Sequence, residues 1–249
     1  MQKKIGSAFS SVPPFSIIIP IHNESAILVK NIERLVEKLD AFKASYEVVL
    51  CENGSTDDTL SLARKLHKAH PQVKVESLPF PNYGMALKHA IRSCRYQHVV
   101  VFNIDFWNTR FSWMALRLLS HAELVVGSKT LSKSVDRRPF PRRLITRSFN
   151  FFLRLVFGFR GTDTHGMKAF RVGPLSPILD QCVTAGSIFD TELVLRAERY
   201  GLRIVEIPVR VREIRQPTYL SLAKRIPETV CNLTMLWLSL LSAPRKSAD

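Results

Sequence analysis

Four short runs gather the acidic, amide and hydroxyl residue types that could handle a polar ligand. They are His22-Asn23-Glu24, Glu52-Asn53-Gly54-Ser55-Thr56-Asp57-Asp58, Asn82-Tyr83-Gly84 and Asn103-Ile104-Asp105. Carboxylates accept hydrogen bonds or hold a hard cation, which wants oxygen ligands. Asparagine and hydroxyl side chains both donate and accept. Each run also has a plainer role. Asn23 and Glu24 suit a helix start, as do Ser55 or Thr56 with Asp58 or Thr59. Asn82-Tyr83-Gly84 suits a turn. Their recurrence at one kind of place in the chain favours ligand handling.

That place is the end of a strand. Phe15–Pro20, Tyr46–Cys51, Val73–Ser77, His98–Asn103 and Leu124–Val126 read as buried strands, being apolar runs of strand length. Helical spacing separates them over 27–39, 56–69 and 83–94. Alternating strand and helix predicts an α/β fold with a mostly parallel sheet flanked by helices. Ligands then bind beyond the carboxyl ends of the strands, where these runs fall. The second half is less regular. It reads as a basic helix near 142–157, strands near 167–171 and 203–211, and a helix near 189–200. An amphipathic helix follows from about 218 to 242, with Leu222, Ile226, Leu233, Leu236, Trp237 and Leu240 recurring at three and four. Residues 1–14 read as a flexible tail, 15–215 as the main domain and 216–249 as a membrane-associated helical segment.

The chain has 249 residues, with 36 Lys+Arg against 21 Asp+Glu for a net charge of +15. At 46% apolar residues it can fill a core, which excludes global disorder. The basic excess points to an anionic partner. Seven arginines and no acid lie between Arg137 and Arg160, interleaved with aromatic and aliphatic residues. That pattern suits phosphates or anionic headgroups, or a solvated face on a half-buried helix. Nucleic acid is not expected, because no recognised binding motif accompanies the charge. Four dispersed cysteines (Cys51, Cys94, Cys182, Cys231) argue against a zinc cage or a disulfide framework. No run is long and apolar enough to span a bilayer; Val230–Ala243 comes nearest and is interrupted by Asn232, Thr234 and Ser239.

Together these segments resemble the family 2 glycosyltransferases of GT-A fold, most of all their polyprenol (dolichol) phosphate mannosyl- and glucosyltransferase branch. The resemblance rests on SIIIPIHNE (16–24), VVLCENGSTDDT (48–59), NYGMALKHAI (82–91), VVVFNID (99–105), VVGSK (125–129), GMKAFR (166–171) and FDTELVLRAERYGLRIVEIPVRV (189–211). It implies inverting transfer of a hexose, mannose first, from GDP-mannose or a UDP-hexose to a polyprenyl phosphate.

The resemblance also assigns roles. Pro20, Asn23 and Glu24 would border base and ribose, and Glu52 the base. Asn103-Ile104-Asp105 matches the DxD motif, so Asp105, with Asn103, would hold Mg²⁺ or Mn²⁺. Lys129, Arg143 and Arg215 would face phosphates. Asp190, with Glu192 beside it, opens the acceptor-side segment and is the further catalytic candidate. A phosphate monoester is already largely anionic near neutrality, so it needs little help from a base. The demand falls on the leaving diphosphate. Partners implied are an anionic membrane surface, on the cytoplasmic face, and room for a membrane-anchoring subunit.

The sequence departs from the family pattern in four places. Asn103 replaces a carboxylate, and Trp107 stands where a metal-reaching Gln is usual. Glu52-Asn53 replaces Asp-Asp, and Asp163-Thr164-His165-Gly166-Met167 is a shortened form of the segment before the usual phenylalanine. These departures leave a second expectation open: a weakened or inactive nucleotide-sugar binding or scaffold subunit of the same fold. His165 beside Asp163 is either a catalytic pair or a turn histidine.

Overall fold

Apolar strands and one-sided helices set the element order. It begins β1 (Phe15–Ile21), α1 (Leu28–Asp40), β2 (Tyr46–Asn53), α2 (Thr59–Ala69), β3 (Val73–Leu78), α3 (Tyr83–Ser93), β4 (His98–Val101) and α4 (Thr109–Leu118). It continues with β5 (Leu124–Ser128), β6 (Val135–Asp136), α5 (Phe140–Phe157), β7 (Lys168–Arg171), α6 (Val172–Gln181), α7 (Ile188–Arg199), β8 (Ile204–Pro208), β9 (Arg210–Val211) and α8 (Ile226–Leu241). The structure, a computed structural model, describes residues 12–42, 44–131, 134–186, 188–211 and 226–241. Arg215 and residues 1–11 lie outside the described residues, as does 218–225 of the expected C-terminal helix.

The chain divides into two compact units. The first takes in the described residues up to His121, together with Met167–Gly173. Its strands run in the order β3-β2-β1-β4-β7. The first four are parallel, and β7 is antiparallel to β4. Ile17, Ile18 and Ile19 on β1 and Val48, Val49 and Leu50 on β2 have no exposure, which accounts for their unbroken apolar runs. Helix α1 buries one stripe only: Leu28, Ile32, Leu35, Val36 and Leu39. Ser16, also fully buried, donates to Glu47 at 2.6 Å, so the core carries no stranded hydroxyl there.

The second unit takes in Ala122–Gly166 and the described residues from Pro174 onward. Strands β5 and β8 pair in parallel, and β6 pairs with β9. Helix α5 begins at a Phe-Pro pair and ends at Gly158, whose φ of +70° gives the left-handed turn that closes it. Only Asn150, Leu153 and Phe157 of its 18 residues are buried.

Three elements, α4, β6 and α6, go beyond the sequence expectation and two strands are corrected. Helix α4 follows an Asn108 cap that accepts from the amides of Arg110 and Phe111. Helix α6 forms despite Pro177 inside it. Strand β4 stops at Val101 rather than Asn103, because Asn103 turns back to bridge Phe106. The expected strand 203–211 is two strands, since the chain leaves β8 at Pro208 and β9 joins β6. Helix α8 buries Asn232, Leu236 and Leu240, yet Val230, Trp237 and Leu238 on its remaining surface are exposed. It is therefore apolar on more than its packed face.

Candidate functional site

In the first unit the loops after β1, β2 and β3 are knitted together at the carboxyl ends of their strands. Asn23 sits at φ +54°, a left-handed conformation that asparagine tolerates better than most side chains. Its amide donates to Ser55 Oγ at 3.1 Å, and its side-chain oxygen accepts from the Thr56 amide at 2.8 Å. His22 Nδ1 lies 2.8 Å from the Asn53 carbonyl; a carbonyl only accepts, so Nδ1 carries the proton. The Glu24 amide donates to Thr59 Oγ1 at 2.7 Å. Ser25 and Thr59 donate to Asp57, and their hydrogen bonds hold its carboxyl well below the usual carboxylate range.

Glu52 is 1% exposed, and both its oxygens are engaged: one accepts from the Ser55 amide at 2.5 Å, the other from Ser77 Oγ at 2.6 Å. It braces the loop that Gly54 begins. Gly54 has φ +63°, and a β-carbon there would lie 2.7 Å from the Phe80 carbonyl carbon. The Asn53 side-chain oxygen accepts from the Asn82 amide at 2.6 Å, tying in the loop that caps α3. Pro20 is half-buried on β1, level with Cys51 of β2.

Strand β4 lies beside β1 and delivers the fourth run. Ile104 is 3% exposed and anchors a turn on which Asn103 is exposed and Asp105 half-buried. Among the described residues no group of three His, Cys, Asp or Glu could hold a metal ion. Asp105 and the Asn103 side-chain oxygen would offer a hard divalent ion one carboxylate and one neutral oxygen, and such ions can be held by one or two carboxylates.

The second unit carries a different cluster. Lys129 follows β5; its amide donates to Asp163 Oδ2 at 3.0 Å, and its ammonium nitrogen lies 3.2 Å from the same oxygen. Burial alone would raise the Asp163 carboxyl, but Lys129 and two backbone amides outweigh it and hold it below the usual range. The second oxygen of Asp163 accepts from the His165 amide at 3.0 Å, and the His165 ring packs edge-on to Phe149. Gly166 is obligatory, because a β-carbon would overlap the Gly127 carbonyl oxygen.

Asp190 is half-buried in the first turn of α7, where a negative charge suits the helix dipole. Glu192, two residues on, has no exposure. It pairs with Arg196 at 2.7 Å and accepts from the Val183 and Thr184 amides and the Thr184 hydroxyl. It fixes the segment before α7. Arg143 lies on α5 with its guanidinium 5.9 Å from the Phe140 ring centroid.

Sequence reasoning passed over Ser77, Thr162 and Glu206, which hold these loops. Glu206 alone left a trace: a carboxylate between Val205 and Ile207 in a strand that is otherwise apolar.

Residues 16–178 match glycosyl transferase family 2. Over 251 residues the chain is 25% identical to glycosyltransferase AglD of Haloferax volcanii, covering 98% of this chain and 40% of that protein. It is 23% identical over 218 residues to dolichyl-phosphate beta-glucosyltransferase of Dictyostelium discoideum, covering 80% and 66%. Thus the chain spans less than two thirds of either relative's length. Among solved structures, glucosyl-3-phosphoglycerate synthase from Mycobacterium tuberculosis, in complex with Mn²⁺, UDP and glucosyl-3-phosphoglycerate, superposes with TM-score 0.67 at 22% identity. That match covers 90% of this chain and 79% of the other. The same enzyme with Mg²⁺ and UDP gives 0.65. These likenesses establish the GT-A fold.

Proposed function

This chain belongs to glycosyl transferase family 2, and we propose that it moves a hexose from a nucleotide-sugar donor to a polyprenyl phosphate at a membrane surface. The observation that carries the reading is the knitted loop set at the ends of β1, β2 and β3, with Asn103 and Asp105 on the next strand's turn. It offers hydroxyl-binding groups on loops whose shape is fixed before any ligand arrives. The dolichyl-phosphate relative supports the lipid phosphate acceptor and favours a glucosyl donor. Mannose from GDP-mannose is the second donor to test.

In this reading Glu24 accepts from ribose hydroxyls, and Pro20 and Asn23 shape the nucleoside wall. Glu52, expected at the base, instead supports that wall from beneath, because it is buried with its two oxygens held by Ser55 and Ser77. Asp105, with the Asn103 amide oxygen, would hold Mg²⁺ or Mn²⁺. Such an ion neutralises charge on the leaving diphosphate. Lys129, oriented by Asp163, is the proposed phosphate-facing cation of the second unit. Arg143 and Arg215 attract the acceptor phosphate, and Asp190 orients its approach. The acceptor's phosphate oxygen is the nucleophile and needs no strong base.

The arginines and exposed aromatic residues of α5, with the uncharged face of α8, would rest on an anionic leaflet. A cytoplasmic-face location and the division into 1–14, 15–215 and 216–249 go with this docking. No helix among the described residues is long and apolar enough to cross a membrane.

A second reading, a binding or scaffold subunit, draws on the single carboxylate at 103–105. The test is transfer from UDP-glucose and GDP-mannose to dolichyl phosphate. Wild-type protein should form a lipid-linked sugar with one donor, and Asp105→Ala should lower the rate by about 100-fold or more. Full activity of Asp105→Ala would remove that carboxylate from the mechanism. A wild type that binds donor without transfer would favour the scaffold.

A further inference from the structure

We propose that Glu206 is a positioning residue, setting the place of Lys129 through the Thr162–Asp163 turn. The proposal deepens the transferase reading above and rests on its role for Lys129. Glu206 projects from β8 level with Val126, two residues before the end of β5, the strand that delivers Lys129. One of its oxygens accepts from two successive amides, Thr162 at 2.7 Å and Asp163 at 3.2 Å. The other accepts from Thr162 Oγ1 at 2.7 Å. Hydrogen bonds to an ionised acceptor are the strong kind.

The turn held this way places the 1%-exposed Asp163 carboxylate, which receives both the amide and the ammonium of Lys129. Thr162 adds a second tie to β5, its hydroxyl lying 2.6 Å from Ser128 Oγ. A displaced turn would carry Asp163 with it, and Asp163 would carry the Lys129 charge. Glu206 is also held at a cost. Glu198 is its neighbour, and burial together with the Glu206 charge pushes the Glu198 carboxyl up.

The experiment compares wild type with Glu206→Ala, Glu206→Gln, Lys129→Ala and the Glu206→Ala/Lys129→Ala double variant. The first measure needs no activity: the rate at which acetic anhydride acylates Lys129, read by peptide mass spectrometry. Glu206→Ala should speed it several-fold, and Glu206→Gln, which keeps a carbonyl oxygen for both amides, should restore the wild-type rate. The second is transfer from UDP-glucose and GDP-mannose to dolichyl phosphate. Glu206→Ala should lower kcat by about tenfold to 100-fold with little change in donor KM. In the Lys129→Ala background it should cost nothing further, since coupled residues are non-additive. An unchanged acylation rate, or an equal loss in both backgrounds, overturns the proposal. Wild-type protein inactive with both donors, but with acylation responding as expected, would overturn the transferase reading and leave the positioning intact. If Glu206→Ala does not fold, Thr162→Val, with Thr162→Ser as the rescue, is read by the same measures.

Discussion

Asn23 and Gly54 hold left-handed backbone in adjacent loops, and each is the residue type that such a position tolerates. Gly54 has no room for a side chain as well, so Gly54→Ala should destabilise the fold by about 1–3 kcal/mol. Urea unfolding measures this; an unchanged midpoint would mean that the Phe80–Pro81 backbone yields freely. Cys51 is buried, and desolvation pushes its thiol up to about 12. Cys231 is exposed. Iodoacetamide at neutral pH should therefore label Cys231 and spare Cys51 until the protein unfolds, as peptide mapping would reveal. At this scale the sequence was partly legible. Asn23, Glu24 and Gly54 were visible as a cluster, because loop chemistry restricts residue type. That Asn23 spends its side-chain oxygen on Thr56, and Glu52 both of its oxygens on Ser55 and Ser77, was not. Such partners depend on distances between loops far apart in sequence.

Strand β1 and helix α1 were readable because burial leaves a period that survives in the sequence. Helix α6 was not, since Pro177 argues locally against a helix that packing of Leu175, Ile178 and Leu179 supports. The apolar run carries the expected β4 on through Phe102 to Asn103, but the backbone turns there as Asn103 bridges Phe106. Helix α7 depends on the Glu192–Arg196 pair, both members almost fully buried. Removing one partner leaves a buried charge, so Glu192→Ala should cost about 3–5 kcal/mol. Denaturant titration checks it; a cost under 1 kcal/mol would mean that water reaches Arg196. The turn before β7 carries a pH signature. The folded Asp163 carboxyl is depressed, so its contribution is complete above the ordinary aspartate value of about 3.9 and is lost as pH falls through the lower folded value. Asp163→Asn should accordingly flatten the acid limb of stability against pH, measured by thermal melts between pH 2 and 6.

For the molecule as a whole, the net charge of +15 and the unpacked surfaces of α5 and α8 bear on the same question. Phe151 is 66% exposed and Leu155 76%, on a helix that also carries Arg142, Arg143, Arg147 and Arg154. Each basic residue near an anionic leaflet contributes about 1 kcal/mol. Sedimentation with phosphatidylserine vesicles should exceed that with phosphatidylcholine, fall with added salt, and weaken in Phe151→Asp/Leu155→Asp. Equal binding to both vesicle types would remove charge from the docking. The basic cluster was visible in the sequence. The exposure of the apolar residues between the arginines was not, because periodicity alone does not say which face of a helix is covered.

A working donor site at the ends of β1, β2 and β4 must bind a nucleotide. Calorimetric titration of UDP and of GDP into the purified protein, each with and without Mn²⁺, tests it most directly. One nucleotide should bind, Mn²⁺ should tighten it, and Asp105→Ala should abolish the tightening. Failure of both nucleotides to bind, with metal present, would contradict it.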